Sequence, residues 1–186
     1  MGRRGAGERT PAKRAALLGV LTAAALALGF AESFLVPMLP FGVKPGLSNI
    51  AVMLASTVLG WPAGLAIALA KAAFAGATRG LTAMLLSGAG GVCSALPVGI
   101  LMQHKQKHPD VPLSEPGIGI LGGVTHNFAQ LLVARLLVGT PAVWGLAPLL
   151  IVAGAAAGAV TGMLMKLLRR SMKPAKKSQA PNAGKL

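Results

Sequence analysis

Eight side chains in this 186-residue chain sit where their chemistry is out of place. Glu32, Lys44, Asn49, Lys71, Arg79, His126, Asn127 and Gln130 all fall within, or at the edges of, strongly apolar runs. Burying an ionisable group in lipid costs several kcal/mol by most scales, so each must be paired or must face a hydrated space. His126 and Gln130 are four apart and share a helical face, with Asn127 alongside. Glu32 is the only acid inside the apolar segments, whereas Lys44, Lys71, Arg79 and Arg135 are basic. If these groups converge, one acid faces four bases, and the positive surplus suits a carboxylate or phosphate. The alternative is that Glu32 neutralises Lys44 or Lys71 while Arg79 and Arg135 snorkel to the interface. Gly46-Leu47-Ser48-Asn49 opens an apolar run after two prolines, so its first amides are unsatisfied donors at a helix amino terminus. Irregular backbone at membrane depth is tolerated only where it is buried in protein or lines a cavity. The break therefore reads as the lip of a site.

Bond-making chemistry finds little support. The chain lacks the Gly-x-x-x-x-Gly-Lys-Ser/Thr phosphate loop. Its single aspartate, Asp110, cannot form the cluster that holds magnesium for diphosphate chemistry. His104 and His108 have a metal-ligand spacing, but beside Lys105, Lys107 and Pro109 they read as solvated loop residues. No paired carboxylates and no Ser-His-Asp set can be drawn. The expectation is a non-enzyme with no catalytic residue, no cofactor and no metal. Cys93, the only cysteine, excludes an internal disulfide and reads as a structural thiol.

The elements that must position these groups are membrane helices. The chain is 54% hydrophobic and only 12% charged, with mean hydropathy +0.67, where a soluble domain carries about 25% charged residues. Stretches near the ~20 residues needed to cross a bilayer run over Ala15–Val36, Leu47–Gly60, Pro62–Thr78, Leu81–Met102, Ile118–Gly139 and Ala142–Leu168. The expectation is an all-α integral membrane bundle of six transmembrane helices, or five if the short second and the third are one. A basic tail (1–14) precedes the helical domain (15–168), and a basic tail (169–186) whose composition predicts disorder follows it. The first run is longer than the apolar region of a cleaved signal peptide, so it reads as a retained span.

Most of the bases behind the net charge of +14 lie in the two tails rather than on a folded face. Five bases lie in the first tail, two (Lys105, Lys107) between the fourth and fifth spans, and seven from Lys166 onward. An even number of spans places all of these on one side, and the positive-inside rule makes that side, with both termini, cytoplasmic. Glu32, Lys44, Asn49, Lys71, Arg79 and Arg135 then fall in the outer half. A nucleic-acid partner is not expected, since no basic face carries interleaved aromatics. The second tail can lie against anionic lipid headgroups.

Small residues at four-residue spacing let helices approach in lipid. Ala15, Gly19, Ala23, Ala27 and Ala31 form an unbroken stripe on the first span, for internal packing or for docking another membrane protein. Gly154, Gly158 and Gly162 form a row on the last span that reads as internal packing. A faint echo relates Ser48-Asn49 and the following Gly60-Trp61-Pro62 to His126-Asn127 and Gly139-Thr140-Pro141, as in inverted repeats.

Gly42-Val43-Lys44-Pro45-Gly46-Leu47-Ser48-Asn49-Ile50 and His126-Asn127-x-x-Gln130, with the helices around them, resemble the bacterial Gx transporter family, also labelled heptaprenyl diphosphate synthase component I. The resemblance covers about Ala15 to Leu168, with Pro45 and Ser48 as mild departures from the family pattern. That family is similar in architecture to the substrate-binding subunits of energy-coupling factor transporters. The resemblance implies six helices in a bacterial inner membrane, a solute site near the outer face, and a first-helix stripe that docks onto a membrane coupling subunit driven by separate ATPases. The second label implies an accessory of prenyl diphosphate synthesis. Some relatives occur in settings linked to flavin-based electron export, which would make the chain a membrane anchor for a redox partner.

Overall fold

The computed structural model describes residues 10–35 and 46–172. Lys44 and most of both expected tails lie outside the described residues. Every regular element among the described residues is a helix: α1 (Pro11–Leu35), α2 (Ser48–Leu59), α3 (Trp61–Arg79), α4 (Leu81–Lys107), α5 (Glu115–Val138), a 3-10 turn (Pro141–Leu146) and α6 (Ala147–Met172). α1 begins before, and α6 ends after, the span limits drawn from hydropathy.

Neighbouring helices run antiparallel because the turns between them are tight. One residue, Gly60, separates α2 from α3, and one, Gly80, separates α3 from α4, with φ of 104° and 86°. Those are backbone conformations that residues with a Cβ rarely adopt. Ser114 caps α5, its hydroxyl accepting from the Gly117 amide at 3.0 Å as an amino-terminal cap should. α5 and α6 meet through bare backbone. A Cβ on Gly119 would overlap the Gly158 carbonyl oxygen, one on Gly123 that of Gly154, and one on Gly162 that of Glu115. The glycine row of α6 thus packs internally, against a second glycine row on α5.

α2 is the central helix, and it is only 12 residues long, about 18 Å at 1.5 Å per residue against a hydrocarbon core of about 30 Å. Seven of its residues are buried. Ala51, Val52 and Ala55 pack with Leu21, Ala25, Ile67, Ala68 and Ala95, while Met53 joins Val98, Met102, Ile118 and Met165. Its amino terminus lies at mid-depth. The Gly46 carbonyl meets Thr161 Oγ1, in the middle of α6, at 3.4 Å, and Ser48 meets Lys71, in the middle of α3. α1 brackets α2 with opposite charges. Glu32 stands at its amino end, and Arg14 Nη2 donates to the Leu59 carbonyl at its carboxyl end, 3.1 Å away. Both signs match the helix dipole.

Among the described residues four helical segments are long and apolar enough to cross a membrane: Pro11–Phe34, Leu81–Lys107, Glu115–Val138 and Pro141–Ser171. α2 is too short, and α3 carries Lys71, Thr78 and Arg79, which lower its hydropathy. The hydropathy reading of six full spans is therefore narrowed to six helices of which four meet the spanning criterion. Large apolar side chains project outward along the bundle, among them Val20, Phe34, Leu69, Leu81, Leu136, Val152 and Leu167. A soluble monomer does not display so extensive an apolar surface, and the fold is that of a multi-pass membrane protein.

Candidate functional site

The break between α1 and α2 explains the position of Glu32. Leu47, which precedes α2, provides no side-chain cap, so the first amide of the helix needs an acceptor from elsewhere. Glu32, 4% exposed, reaches across from α1. Its Oε1 accepts from the Ser48 amide at 3.3 Å and its Oε2 from the Ser48 hydroxyl at 3.2 Å. The same hydroxyl accepts from Lys71 Nζ at 2.8 Å, and Lys71 also donates to Asn49 Oδ1 at 2.9 Å. An acid, a hydroxyl, an amide and an ammonium from three helices form one chain, which places Glu32 and Lys71 on opposite sides of Ser48.

A second polar group comes from α4 and α5. His126 Nδ1 lies 3.4 Å from Ser94 Oγ, and the Ser94 hydroxyl also reaches the Gly91 carbonyl at 3.2 Å. Gly90 leaves room for this, since a Cβ there would come within 2.9 Å of the His126 ring and 2.8 Å of Gln130 Cγ. Asn127 faces the other way along α5, its Nδ2 donating to the Leu150 carbonyl of α6 at 2.7 Å. That amide holds the two helices in register.

Both groups border one cavity of about 360 Å³, at the smaller end of the range for small-molecule sites. Glu32, Asn49, Lys71, Arg79, His126, Asn127 and Gln130 all line it, seven of the eight residues singled out by sequence; Lys44 lies outside the described residues. Arg135, half-buried on α5, does not line it. Phe30, Phe74, Leu26, Leu86, Val52 and Leu150 supply apolar wall. Sequence reading missed Ser48 as the bridging residue, along with the lining residues Ser87 and Ser94. For Ser48 the signal was present, because a hydroxyl one residue into a helix that opens after two prolines is well placed to bridge.

The five stripe residues, Ala15, Gly19, Ala23, Ala27 and Ala31, are all exposed on α1. A Cβ on Gly19 would meet nothing within 4 Å. The stripe and Glu32 therefore occupy opposite faces of one helix. At the far end of the bundle Glu115 accepts from Arg169 at 2.9 Å and pairs with Lys105 at 3.5 Å, while Lys105 also donates to the Leu113 carbonyl. The rings of His104, in the last turn of α4, and His108, just past its end, lie 4.6 Å apart at a tilt of 38°. Among the described residues no group of three or more His, Cys, Asp or Glu side chains is placed to hold a metal ion.

The family described as heptaprenyl diphosphate synthase component I matches residues 21–168. The chain belongs to this family. The match to heptaprenyl diphosphate synthase component I spans the whole cavity and leaves Ala15 and Gly19 of the stripe before its start. No curated protein and no solved structure matches the chain.

Proposed function

We propose that this chain is the membrane-embedded solute-capture subunit of an energy-coupling factor type transporter in a bacterial inner membrane. It takes a small anionic solute from the outer face and relies on a separate membrane coupling subunit and its ATPases. The observation that carries the reading is the convergence of polar and charged side chains from every helix on one small cavity in an otherwise apolar bundle. Isolated ionisable groups at membrane depth are costly, and a shared hydrated pocket is the arrangement that repays several of them together. In this reading Glu32, Asn49, Lys71, Arg79, His126, Asn127 and Gln130 form the solute site, and all six helices are embedded. Both termini are cytoplasmic, because Arg14, Lys105, Lys107, Lys166, Arg169 and Arg170 gather at the helix ends away from Arg79. The outward-facing stripe of α1 docks the coupling subunit by close backbone approach.

The test is co-purification from the source bacterium. The wild-type chain should bring down a membrane coupling subunit with ATPases, and Ala23→Leu with Ala27→Leu should lose them while the protein stays folded and inserted. Unchanged recruitment by the double variant rules out the docking face. Solute uptake into cells should require the same face.

The family's description favours a second reading, a non-catalytic membrane accessory of heptaprenyl diphosphate synthesis. It predicts shortened or depleted quinone side chains on deletion, whereas the capture reading predicts normal ones.

A further inference from the structure

Resting on the reading of the cavity as a solute site, we infer that the solute is a monoanion, with one carboxylate held by Arg79 and a flat apolar body lying against Phe30 and Phe74.

The charge balance gives the valence. Among the described lining residues, the carboxylate and the two basic side chains are Glu32, Lys71 and Arg79. Glu32 and Lys71 meet across a single hydroxyl, that of Ser48, which donates to one and accepts from the other. Seen from the cavity they cancel. Both Glu32 oxygens are engaged by Ser48, and the buried carboxylate is committed to the end of α2. Arg79 is exposed and forms no hydrogen bond or ion pair with any described residue, so one positive charge remains. A dianion would leave one of its charges uncompensated in a low-dielectric setting, and a cation would face the guanidinium directly.

The placement gives the shape. Arg79 ends α3, eight residues beyond Lys71, about 12 Å further along the helix. The wall between them is apolar. Phe74 stands on it with its ring 6.2 Å from that of Phe30 in an edge-to-face pair, Leu86 faces the same space, and the Thr78 hydroxyl is turned to the Phe74 carbonyl at 2.7 Å. A solute with its charge at Arg79 must therefore lay an uncharged, ring-compatible body along this wall. The Gln130 amide, which makes no hydrogen bond to a described residue, offers it an NH2 donor group and a carbonyl acceptor. A guanidinium binds a carboxylate with two parallel hydrogen bonds, and that geometry makes the carboxylate the natural monoanion here.

The experiment uses the full chain in lipid nanodiscs and four probes of one shape: naphthoate, naphthamide, naphthylmethylamine and naphthyl phosphate, with binding read by equilibrium dialysis against empty nanodiscs. Naphthoate should bind about tenfold or more tightly than the other three, as expected for one charge-assisted contact. Arg79→Gln should remove that advantage while leaving the weak naphthamide binding where it was, and Arg79→Lys should restore part of it. Equal binding of the amide or the amine, tighter binding of the phosphate, or undiminished naphthoate binding by Arg79→Gln overturns the inference and leaves solute capture standing. Failure of all four probes on a cooperatively melting protein also overturns it. The capture reading is judged independently by co-purification and uptake, which use none of these probes.

Discussion

The half of the bundle at the Glu115 end, inner in the orientation proposed above, and the half at the Arg79 end, outer in that orientation, are built from the same helices and solve different problems. In the inner half α2 fills the centre, and its Met53 packs with Met102, Met165, Val98 and Ile118 of the surrounding helices, flexible thioethers filling the gaps between crossing helices. Glu115 then fastens α5 to α4 and α6 through Lys105 and Arg169. In the outer half α2 is missing, because it starts at the level of Ser48, and the surrounding helices border a cavity with polar and charged side chains set in an apolar wall instead. The lesson is that a half-length helix supplies both a solid floor and a hole above it. Its amino end, which has no cap from Leu47, also fixes where the acid must stand.

Changes that attack what both halves share should do most damage. Gly123→Leu places a side chain into the Gly154 carbonyl, and a loss above about 4 kcal/mol is expected for such a clash between backbones. Loss of the monodisperse peak in detergent size-exclusion chromatography would show it, and a normal peak would refute the close α5–α6 pairing. Next comes the acid at the floor of the cavity. Glu32→Ala removes the cap of α2 and the charge that balances Lys71, for a cost of about 3–5 kcal/mol typical of breaking a buried pair. Glu32→Gln, which keeps one acceptor for Ser48, should lose less. Thermal melts of the two variants would separate capping from mere bulk, and equal melting temperatures would deny Ser48 its bridging role.

The inner end should be more forgiving. Glu115→Gln releases two partly solvated cations, 18% and 22% exposed, and should cost about 1 kcal/mol, with solute binding unaffected. A large loss of binding would mean that the two halves are coupled more tightly than their packing indicates. The smallest effect belongs to Gly19→Leu. A Cβ there would meet nothing within 4 Å, so stability should shift by less than about 0.5 kcal/mol, whereas recruitment of the coupling subunit should fall.

Much of this was legible from residue types alone. Hydropathy located every helix, and the cost of polar and ionisable groups in lipid singled out seven side chains that do line one cavity. It could not reveal that Glu32 and Asn127 are engaged in holding helices, by Ser48 and by the Leu150 carbonyl, because spacing along the chain does not say which partner lies across it. The half-length of α2 was blurred for a similar reason, since an apolar run from Leu47 to Gly60 reads alike whether it starts at the surface or at mid-depth. Glycines on α6 were visible as a row, while Gly119 and Gly123 opposite them drew no notice, because a packing row has meaning only beside its complement. The role of Glu115 was readable in principle, since Ser114-Glu115-Pro116 is a helix-start signature.

The bracket that α1 forms around α2, Arg14 at one end and Glu32 at the other, bears on how the chain is made. α2 is too brief to lodge in a bilayer unaided. Synthesis delivers α1 before it, so the arriving segment meets a ready berth whose two poles already match its own. Reversing the order of these two segments in the gene would ask the short one to wait in lipid for its host.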